Sequence, residues 1–279
     1  MIKPAKFSAV LSLVLSMILV MAGCGTAAKD HTDSQAADKN RQTSAATETV
    51  ELTVSAAASM TDALKEIQED YKTKHPNITL NFNFGASGAL QQQIEQGAPA
   101  DLFLSAAAKN MKALVDKQLI DANQQKNVLS NELVAVVSAD GQVPVASFAD
   151  LSKSDIKNIA IGIPESVPAG SYAKEALTKT NSWDSLQSKI VQGKDVRQVL
   201  QYVATGNADV GFVYKTDALT SDKVKVAFAV DPATYTPVEY PIGIVKATKH
   251  RKEAEDFYTY LQTQEALDVF EKYGFSVLN

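Results

Sequence analysis

The sequence predicts an α/β protein whose folded part, residues 49–279, forms two lobes. Apolar residues alternate along the chain between the two-residue period of strands and the spacing of helices, which is typical of strand-helix units and largely parallel sheets. The folded segment is also longer than one hydrophobic core usually holds, which favours two lobes. With 45% hydrophobic and 21% charged residues, the composition is that of a folded protein and not of a disordered one.

In the first half of this segment, three predicted strands are each followed by a helix. Apolar residues occupy every second position in the first two strands, and the third strand is a short apolar run. Helical spacing follows each strand, and His75-Pro76 ends the first helix. The predicted strands are 50–54, 78–84 and 101–105, and the predicted helices cover 60–71, 90–94 and 111–115.

In the second half, the strands are continuous apolar runs, and two helix starts stand out. Pro168 precedes a helix over Ser171–Leu177, because proline suits a first helical turn. Asp195 is predicted to be an N-cap that forms a capping box with Gln198, in a helix that ends near Gly206. The apolar strands are 133–137, 159–163, 210–214, 224–230 and 242–245, and amphipathic helices are expected within 251–273.

Charge and cysteine content exclude several classes of function. The 27 Lys and Arg residues against 32 Asp and Glu residues give a net charge of −5, and the sequence contains no long basic run. We therefore expect no nucleic-acid partner. The single cysteine has no neighbouring cysteine or histidine at the spacing of a zinc site, so no structural metal is expected.

One segment resembles the turn that carries the nucleophile of serine hydrolases. Gly85-Ala86-Ser87-Gly88-Ala89 follows a predicted strand, but it has alanine in place of the final glycine of that motif. A serine nucleophile also needs a base, and His31, His75 and His250 all lie in polar segments typical of the surface. Phosphate-loop and dinucleotide-binding glycine patterns are absent. The sequence therefore does not indicate an enzyme.

The first 48 residues carry the features of an exported protein. Lys3 and Lys6 precede an uncharged, apolar run at 7–22, which is typical of a secretory signal and short for a membrane span. Met21-Ala22-Gly23-Cys24 resembles the lipobox of bacterial lipoproteins, which implies cleavage after residue 23 and lipidation of Cys24. The alternative is a plain signal peptide or an uncleaved anchor. Residues 25–48 lack large apolar side chains and are predicted to form a flexible tether.

Small or hydroxyl residues recur where a predicted strand meets the start of a helix. Helix N-termini offer unpaired N–H groups and the positive end of the helix dipole, so they bind anions without a cationic side chain. Four such ends could surround one small anion, although each residue could equally cap only its own helix. The four segments are Ala56-Ala57-Ala58-Ser59, Gly85-Ala86-Ser87-Gly88, Pro168-Ala169-Gly170 and Asp195-Val196.

Six motifs, in order along residues 50–279, together resemble the molybdate-binding proteins of bacterial ABC importers. They begin with Ala56 to Leu64 and the run GASGALQQQIEQGAPADLFLSA at 85–106. The others are Val167 to Lys174, Asp195-Val196-Arg197, Gly211 to Tyr214 and Val238 to Pro241.

The resemblance implies a fold and a binding site. The fold is that of type II periplasmic binding proteins, with the ligand in a cleft between two α/β lobes at 49–131 plus 238–279 and at 132–237. Each lobe is expected to hold a mostly parallel sheet flanked by helices. The ligand is molybdate, and by extension tungstate, bound as an oxyanion without direct contact between protein and metal, and no cofactor is implied. The ligand-contacting residues carried over from the family are Ser59, Ser87, Ala169, Val196 and Tyr214.

The resemblance also implies partners and a location. The protein would be held by the lipid on Cys24 at the outer face of the cytoplasmic membrane, on the periplasmic side if an outer membrane is present. It would deliver its ligand, as a monomer, to the permease and ATPase subunits of a molybdate importer. Two alternatives stay open: the same fold with another oxyanion such as sulfate, phosphate or a phosphonate, and a lipid-anchored serine hydrolase that uses Ser87.

Overall fold

The computed structural model describes residues 49–141 and 144–278. The predicted signal peptide at 1–23, Cys24, the tether and His31 lie outside the described residues. The eleven strands of the described part are β1 Val50–Ala57, β2 Ile78–Gly85, β3 Leu102–Leu104, β4 Ile120–Asn131, β5 Leu133–Ser138, β6 Ile159–Gly162, β7 Ile190–Gly193, β8 Val210–Tyr214, β9 Val224–Ala229, β10 Val238–Val245 and β11 Ser276–Val277.

Nine α-helices accompany these strands in the part of the chain that the structure describes. None of them combines the length and the apolar character that a membrane span requires. A 3₁₀ turn at Ala58–Met60 leads directly into the first helix. The helices are α1 Thr61–Lys74, α2 Ser87–Glu95, α3 Ala108–Asp116, α4 Pro168–Lys179, α5 Trp183–Leu186, α6 Val196–Ala204, α7 Lys215–Ala218, α8 Arg251–Tyr260 and α9 Gln264–Lys272.

The strands form two separate sheets, each flanked by helices, so the α/β class with two lobes is confirmed. The first sheet has the order β11-β4-β10-β3-β1-β2, and the second has the order β7-β6-β8-β5-β9. The chain passes from the first sheet to the second between β4 and β5 and returns between β9 and β10. We refer to each sheet with the helices packed on it as the first and the second lobe.

Strand pairing is more mixed than the predicted, mostly parallel arrangement. Of the nine pairings between described strands, four are parallel and five are antiparallel. The parallel pairs lie where a helix separates successive strands, at β2-β1-β3 and at β7-β6-β8. Each antiparallel pair includes at least one strand next to a crossing between the sheets, namely β4, β5, β9 or β10.

Strand β3 of the first sheet is buried on both of its faces. Leu102 and Leu104 of β3 belong to a large hydrophobic core that also extends into the second lobe. Phe103, between them, points to the opposite face, where it packs with Leu90 of α2 and Met111 of α3. This burial on two sides explains why β3 is an uninterrupted apolar run in the sequence.

Strands β7 and β11 and the short helices α5 and α7 were not predicted, and three further features differ from the sequence-based expectation. Strand β4 was not predicted, because most of its residues are polar and partly exposed, and its place is set by backbone pairing with β10 and β11. Helix α4 begins at Pro168, three residues before the predicted start at Ser171, with proline in its first turn. The capping box at α6 is half formed: the Asp195 side chain accepts from the Gln198 N–H, but the Gln198 side chain accepts from the Lys194 N–H.

Candidate functional site

A small cavity lies between the lobes, outside the carboxyl ends of the parallel strands of both sheets. Ligands of α/β proteins commonly bind at this edge. The first lobe contributes the segments that follow β1, β2 and β3, and the second lobe contributes the starts of α4 and α6 and the end of β8. The cavity is lined by Ala57, Ala58, Ser59, Gly85, Ala86, Ser87, Ala106, Val167, Pro168, Ala169, Val196 and Tyr214.

The structure brings all five predicted ligand residues to this one cavity. Each is buried, with exposed fractions between 0% for Ser87 and 4% for Val196. The cavity volume is about 10 Å³, roughly the room for a single water-sized group. Residues of both lobes therefore bury the site. That these residues bind an anion stays a prediction.

Two backbone N–H groups at the starts of α4 and α6 have no hydrogen-bond acceptor within the described residues. Ala169 is the second residue of α4, and Val196 is the first residue of α6. Their N–H groups have no acceptor inside their own helices, and neither makes another hydrogen bond within the described residues. Glycine at 170 allows α4 to start this close to β6, because a Cβ there would collide with the carbonyl oxygen of Gly162. The second lobe thus presents amide donors that are free to bind an anion.

The Ser87 hydroxyl is held in place as a donor. Its Oγ accepts a hydrogen bond from the Ala106 N–H at 2.9 Å. Because that bond occupies a lone pair of the oxygen, the hydroxyl proton remains available for an acceptor in the cavity.

The Ser59 hydroxyl is oriented by two residues that were not predicted as part of the site. Ser59 Oγ lies 2.9 Å from Tyr240 Oη, which in turn lies 3.3 Å from Asn131 Nδ2. The Asn131 amide is fixed, since the Glu132 N–H donates to its Oδ1. Asn131 therefore donates to Tyr240, which favours donation from Tyr240 to Ser59 and leaves the Ser59 proton for the cavity.

Sequence reasoning missed the role of Tyr240 for a simple reason. The residue belongs to a motif that was recognised, Val238 to Pro241, but 181 positions separate it from Ser59. The hydrophobic periodicity of a sequence indicates local structure and cannot indicate a contact between residues so far apart. The signal available was a tyrosine inside an apolar strand, which when buried usually finds a hydrogen-bond partner.

Tyr214 provides a buried hydroxyl without a partner. Its side chain is 1% exposed, and its Oη makes no hydrogen bond within the described residues. Burial raises the pKa of Tyr214 well above its usual value, so the phenol keeps its proton at neutral pH. An unpaired buried hydroxyl is costly, so this group suggests a ligand that accepts from it.

The cavity contains neither a catalytic base nor a metal site. None of its lining residues is acidic, basic or histidine. Of the two described histidines, His75 stacks on Tyr71 and His250 precedes α8, and neither lines the cavity with Ser87. Within residues 49–141 and 144–278, no three His, Cys, Asp or Glu side chains are grouped so as to hold a metal ion. What the site offers is a set of neutral donors.

Direct contacts hold the two lobes together around the cavity. The Gly88 N–H of the first lobe donates to the Ser166 carbonyl of the second lobe at 2.9 Å. Lys109 Nζ donates to Ser171 Oγ at 2.8 Å, again from the first lobe to the second. These two bonds join the lobes beside the cavity.

The chain is similar to known solute-binding proteins over nearly its whole folded part. The family model of bacterial extracellular solute-binding proteins matches residues 52–276. A Bacillus subtilis protein described as an ABC transporter substrate-binding lipoprotein, YvgL, is 52% identical over 94% of this chain and 95% of its own length. The molybdate-binding protein ModA of Haemophilus influenzae is 40% identical over 81% of this chain and 89% of its own length.

A solved structure has the same fold. It is the substrate-binding domain assigned to a molybdenum ABC transporter of Clostridium difficile, and it is 45% identical to this chain. The TM-score is 0.64, and the match covers 83% of this chain and 100% of the other.

Proposed function

The chain belongs to the bacterial extracellular solute-binding proteins, and we propose that it captures molybdate, and also tungstate, for an ABC importer. Proteins of this family bind solutes for transport and are not enzymes. The observation that carries the proposal is the cavity between the lobes, which both lobes line with neutral donors and no carboxylate enters. The relatives named as molybdate-binding proteins support the choice of anion.

In this proposal, five residues contact the oxyanion. Ser59, Ser87 and Tyr214 donate through their hydroxyl groups, and Ala169 and Val196 donate through their backbone N–H groups. The molybdenum atom touches no protein atom, and no cofactor takes part. The unpaired Tyr214 hydroxyl and the free first-turn amides support these roles.

A site of donors alone selects an anion that presents acceptors alone. Molybdate and tungstate are unprotonated near neutral pH, so every oxygen can accept a hydrogen bond. A protonated phosphate would bring an O–H group to a cavity whose lining has no carboxylate to accept it, and that unpaired group would lower its affinity. Sulfate has the same acceptors but is smaller, so the donors would be stretched and partly unpaired.

Binding is proposed to occur by closure of a hinge. The lobes are assigned to 49–131 plus 238–279 and to 132–237, and the separate sheets support this division. The open protein would take up the anion between helix ends, and closure would complete the set of donors. The closed form would then dock on the permease of the importer.

The proposed location is the outer face of the cytoplasmic membrane. Cys24, the predicted lipidation site, lies outside the described residues, as does the tether at 25–48. Support comes from the lipobox-like segment and from the similarity to YvgL, which is described as a lipoprotein. We propose that the protein acts there as a monomer with the permease and ATPase subunits of the importer.

Thermal unfolding with molybdate, tungstate, sulfate and phosphate tests this function. At a ligand concentration of 100 times the dissociation constant, a ligand adds about 2.7 kcal/mol to the unfolding free energy. For a domain of this size, that corresponds to a rise of roughly 5–11 °C in melting temperature. A rise with molybdate and tungstate alone supports the proposal. A rise with sulfate or phosphate alone would favour the alternative oxyanion binder.

A further inference from the structure

Arg197 connects the two lobes beside the cavity without lining it. It is the second residue of α6 and follows Val196 directly. Its Nη2 lies 2.7 Å from Asp62 Oδ2 and 3.4 Å from the carbonyl oxygen of Ser59, both in the first lobe. Among the ion pairs between described residues, the pair of Arg197 and Asp62 is the one that joins the lobes.

Contacts within the second lobe already hold the Arg197 side chain in position. Its Nε lies 2.7 Å from the fully buried Asp217, and its Nη1 donates to Thr220 Oγ1 at 2.9 Å. Because these partners belong to the same lobe, they remain in place when the lobes separate. The guanidinium is therefore ordered before closure, and little side-chain entropy is lost when it meets Asp62.

The contacts to the first lobe reach the segment that holds a proposed ligand residue. Ser59 lies in the 3₁₀ turn that precedes α1, and Asp62 is the second residue of α1. Arg197 thus joins the turn that presents the Ser59 hydroxyl to the helix that presents the Val196 N–H. These contacts can form only when the lobes are closed.

We infer that Arg197 is a positioning residue that, through Asp62, holds the lobes closed over the bound anion. The inference rests on the proposed function and adds to it a residue that keeps the ligand in place without touching it. The expected consequence is kinetic, because loss of the Asp62 contact destabilises the closed form and speeds release of the ligand.

Asp62→Asn is the variant that tests this role. The side chain of Asp62 is 38% exposed, so the Asp62→Asn variant should fold normally. Substitution of Arg197, by contrast, would leave the buried Asp217 without its ion-pair partner. Simple electrostatics predicts that loss of a negative charge near the site strengthens anion binding. The positioning role predicts that the same substitution weakens anion binding. The two explanations are therefore separable in one measurement.

Glu69→Gln provides the matched control. Glu69 lies on the same helix, is exposed, and makes no ion pair or side-chain hydrogen bond with a described residue. Its substitution removes the same charge. Asp62→Glu serves as the conservative variant that keeps the carboxylate and should restore part of the wild-type behaviour.

The experiment measures release of molybdate from the purified wild-type protein and the three variants by stopped-flow displacement. For Asp62→Asn we expect the off-rate to rise roughly fivefold, the effect of one ion pair, with unliganded stability unchanged. Off-rates of wild type, Asp62→Asn and Glu69→Gln that agree would overturn the inference. If the wild type does not bind molybdate, the proposed function fails, and the same comparison with the oxyanion that raises the melting temperature decides the role of Arg197.

Discussion

Gly88 lies at a backbone contact between the two lobes beside the cavity. It is the second residue of α2, and its N–H donates to the Ser166 carbonyl oxygen of the other lobe at 2.9 Å. A Cβ at this position would lie 2.7 Å from that oxygen and 2.9 Å from the Ser166 Cα. These are backbone atoms, which cannot rotate away. Gly88→Ala should therefore obstruct closure of the cleft.

The size of the effect follows from which conformation contains the clash. Overpacking of this kind costs about 1–3 kcal/mol, and here it burdens only the closed form, so the dissociation constant for molybdate should rise about 5- to 150-fold. In the proposed open form, separation of the lobes would take the methyl group away from Ser166. Alanine is also a better helix former than glycine by roughly 0.5–1 kcal/mol. The unliganded protein should therefore unfold at the same or a higher temperature.

Calorimetric titration with molybdate tests the expected loss of affinity, and thermal unfolding of the unliganded protein tests the expected equal or higher melting temperature. Gly85→Ala is the control in the same segment. Gly85 also lines the cavity, but a Cβ there would meet only the Leu90 side chain of its own lobe, at 3.5 Å, which is an ordinary contact. The control should bind nearly as tightly as the wild type. An undiminished affinity in Gly88→Ala would refute the idea that ligand binding closes the lobes onto Ser166.

Three further predictions concern single groups around the site. Ser87→Ala and Tyr214→Phe should each weaken molybdate binding by roughly 1–3 kcal/mol, the cost of an unpaired charge-assisted hydrogen bond. Because Tyr214 Oη has no hydrogen-bond partner without ligand, Tyr214→Phe should not lower the melting temperature of the unliganded protein. Tyr240→Phe should weaken molybdate binding less than Tyr214→Phe does, since the Ser59 hydroxyl loses its orienting partner but stays present. Calorimetric titration of the two tyrosine variants compares their losses of affinity, and equal losses would contradict this prediction. Burial raises the pKa of Asp217 to about 6, so between about pH 4 and 6 the folded protein holds a proton that the unfolded chain has released. The contribution of Asp217 to the unfolding free energy therefore falls as pH rises through that window. Urea unfolding from pH 4 to 7 should show a flatter pH dependence in Asp217→Asn than in the wild type, and an identical slope would contradict the assignment.

Local patterns in the sequence predicted most of the fold. Strands with period two, such as β2, and helices with a clear apolar face, such as α1, lie within a few residues of their predicted positions. The polar strand β4 was missed because its position depends on backbone pairing with β10, which leaves no apolar pattern. The excess of antiparallel pairs was missed for a related reason: the path of the chain between sheets is decided by tertiary packing and not by local period.

The candidate site was predictable only in part. The starts of the four helices carry local signals in their small and capping residues, and these led to the segments that surround the cavity. Tyr240 and Arg197 contact Ser59 from positions 181 and 138 residues away. Such contacts depend on how two lobes meet, so the sequence could show the residues without showing their partners.

A crystal structure of the protein grown with molybdate, with the metal located by its anomalous scattering, tests the central claim most directly. The account predicts one molybdenum position between the lobes, with the oxyanion within hydrogen-bonding distance of Ser59, Ser87, Ala169, Val196 and Tyr214. It would be contradicted by a molybdenum peak elsewhere on the molecule, or by a closed cleft that holds a different anion while molybdate is present in excess.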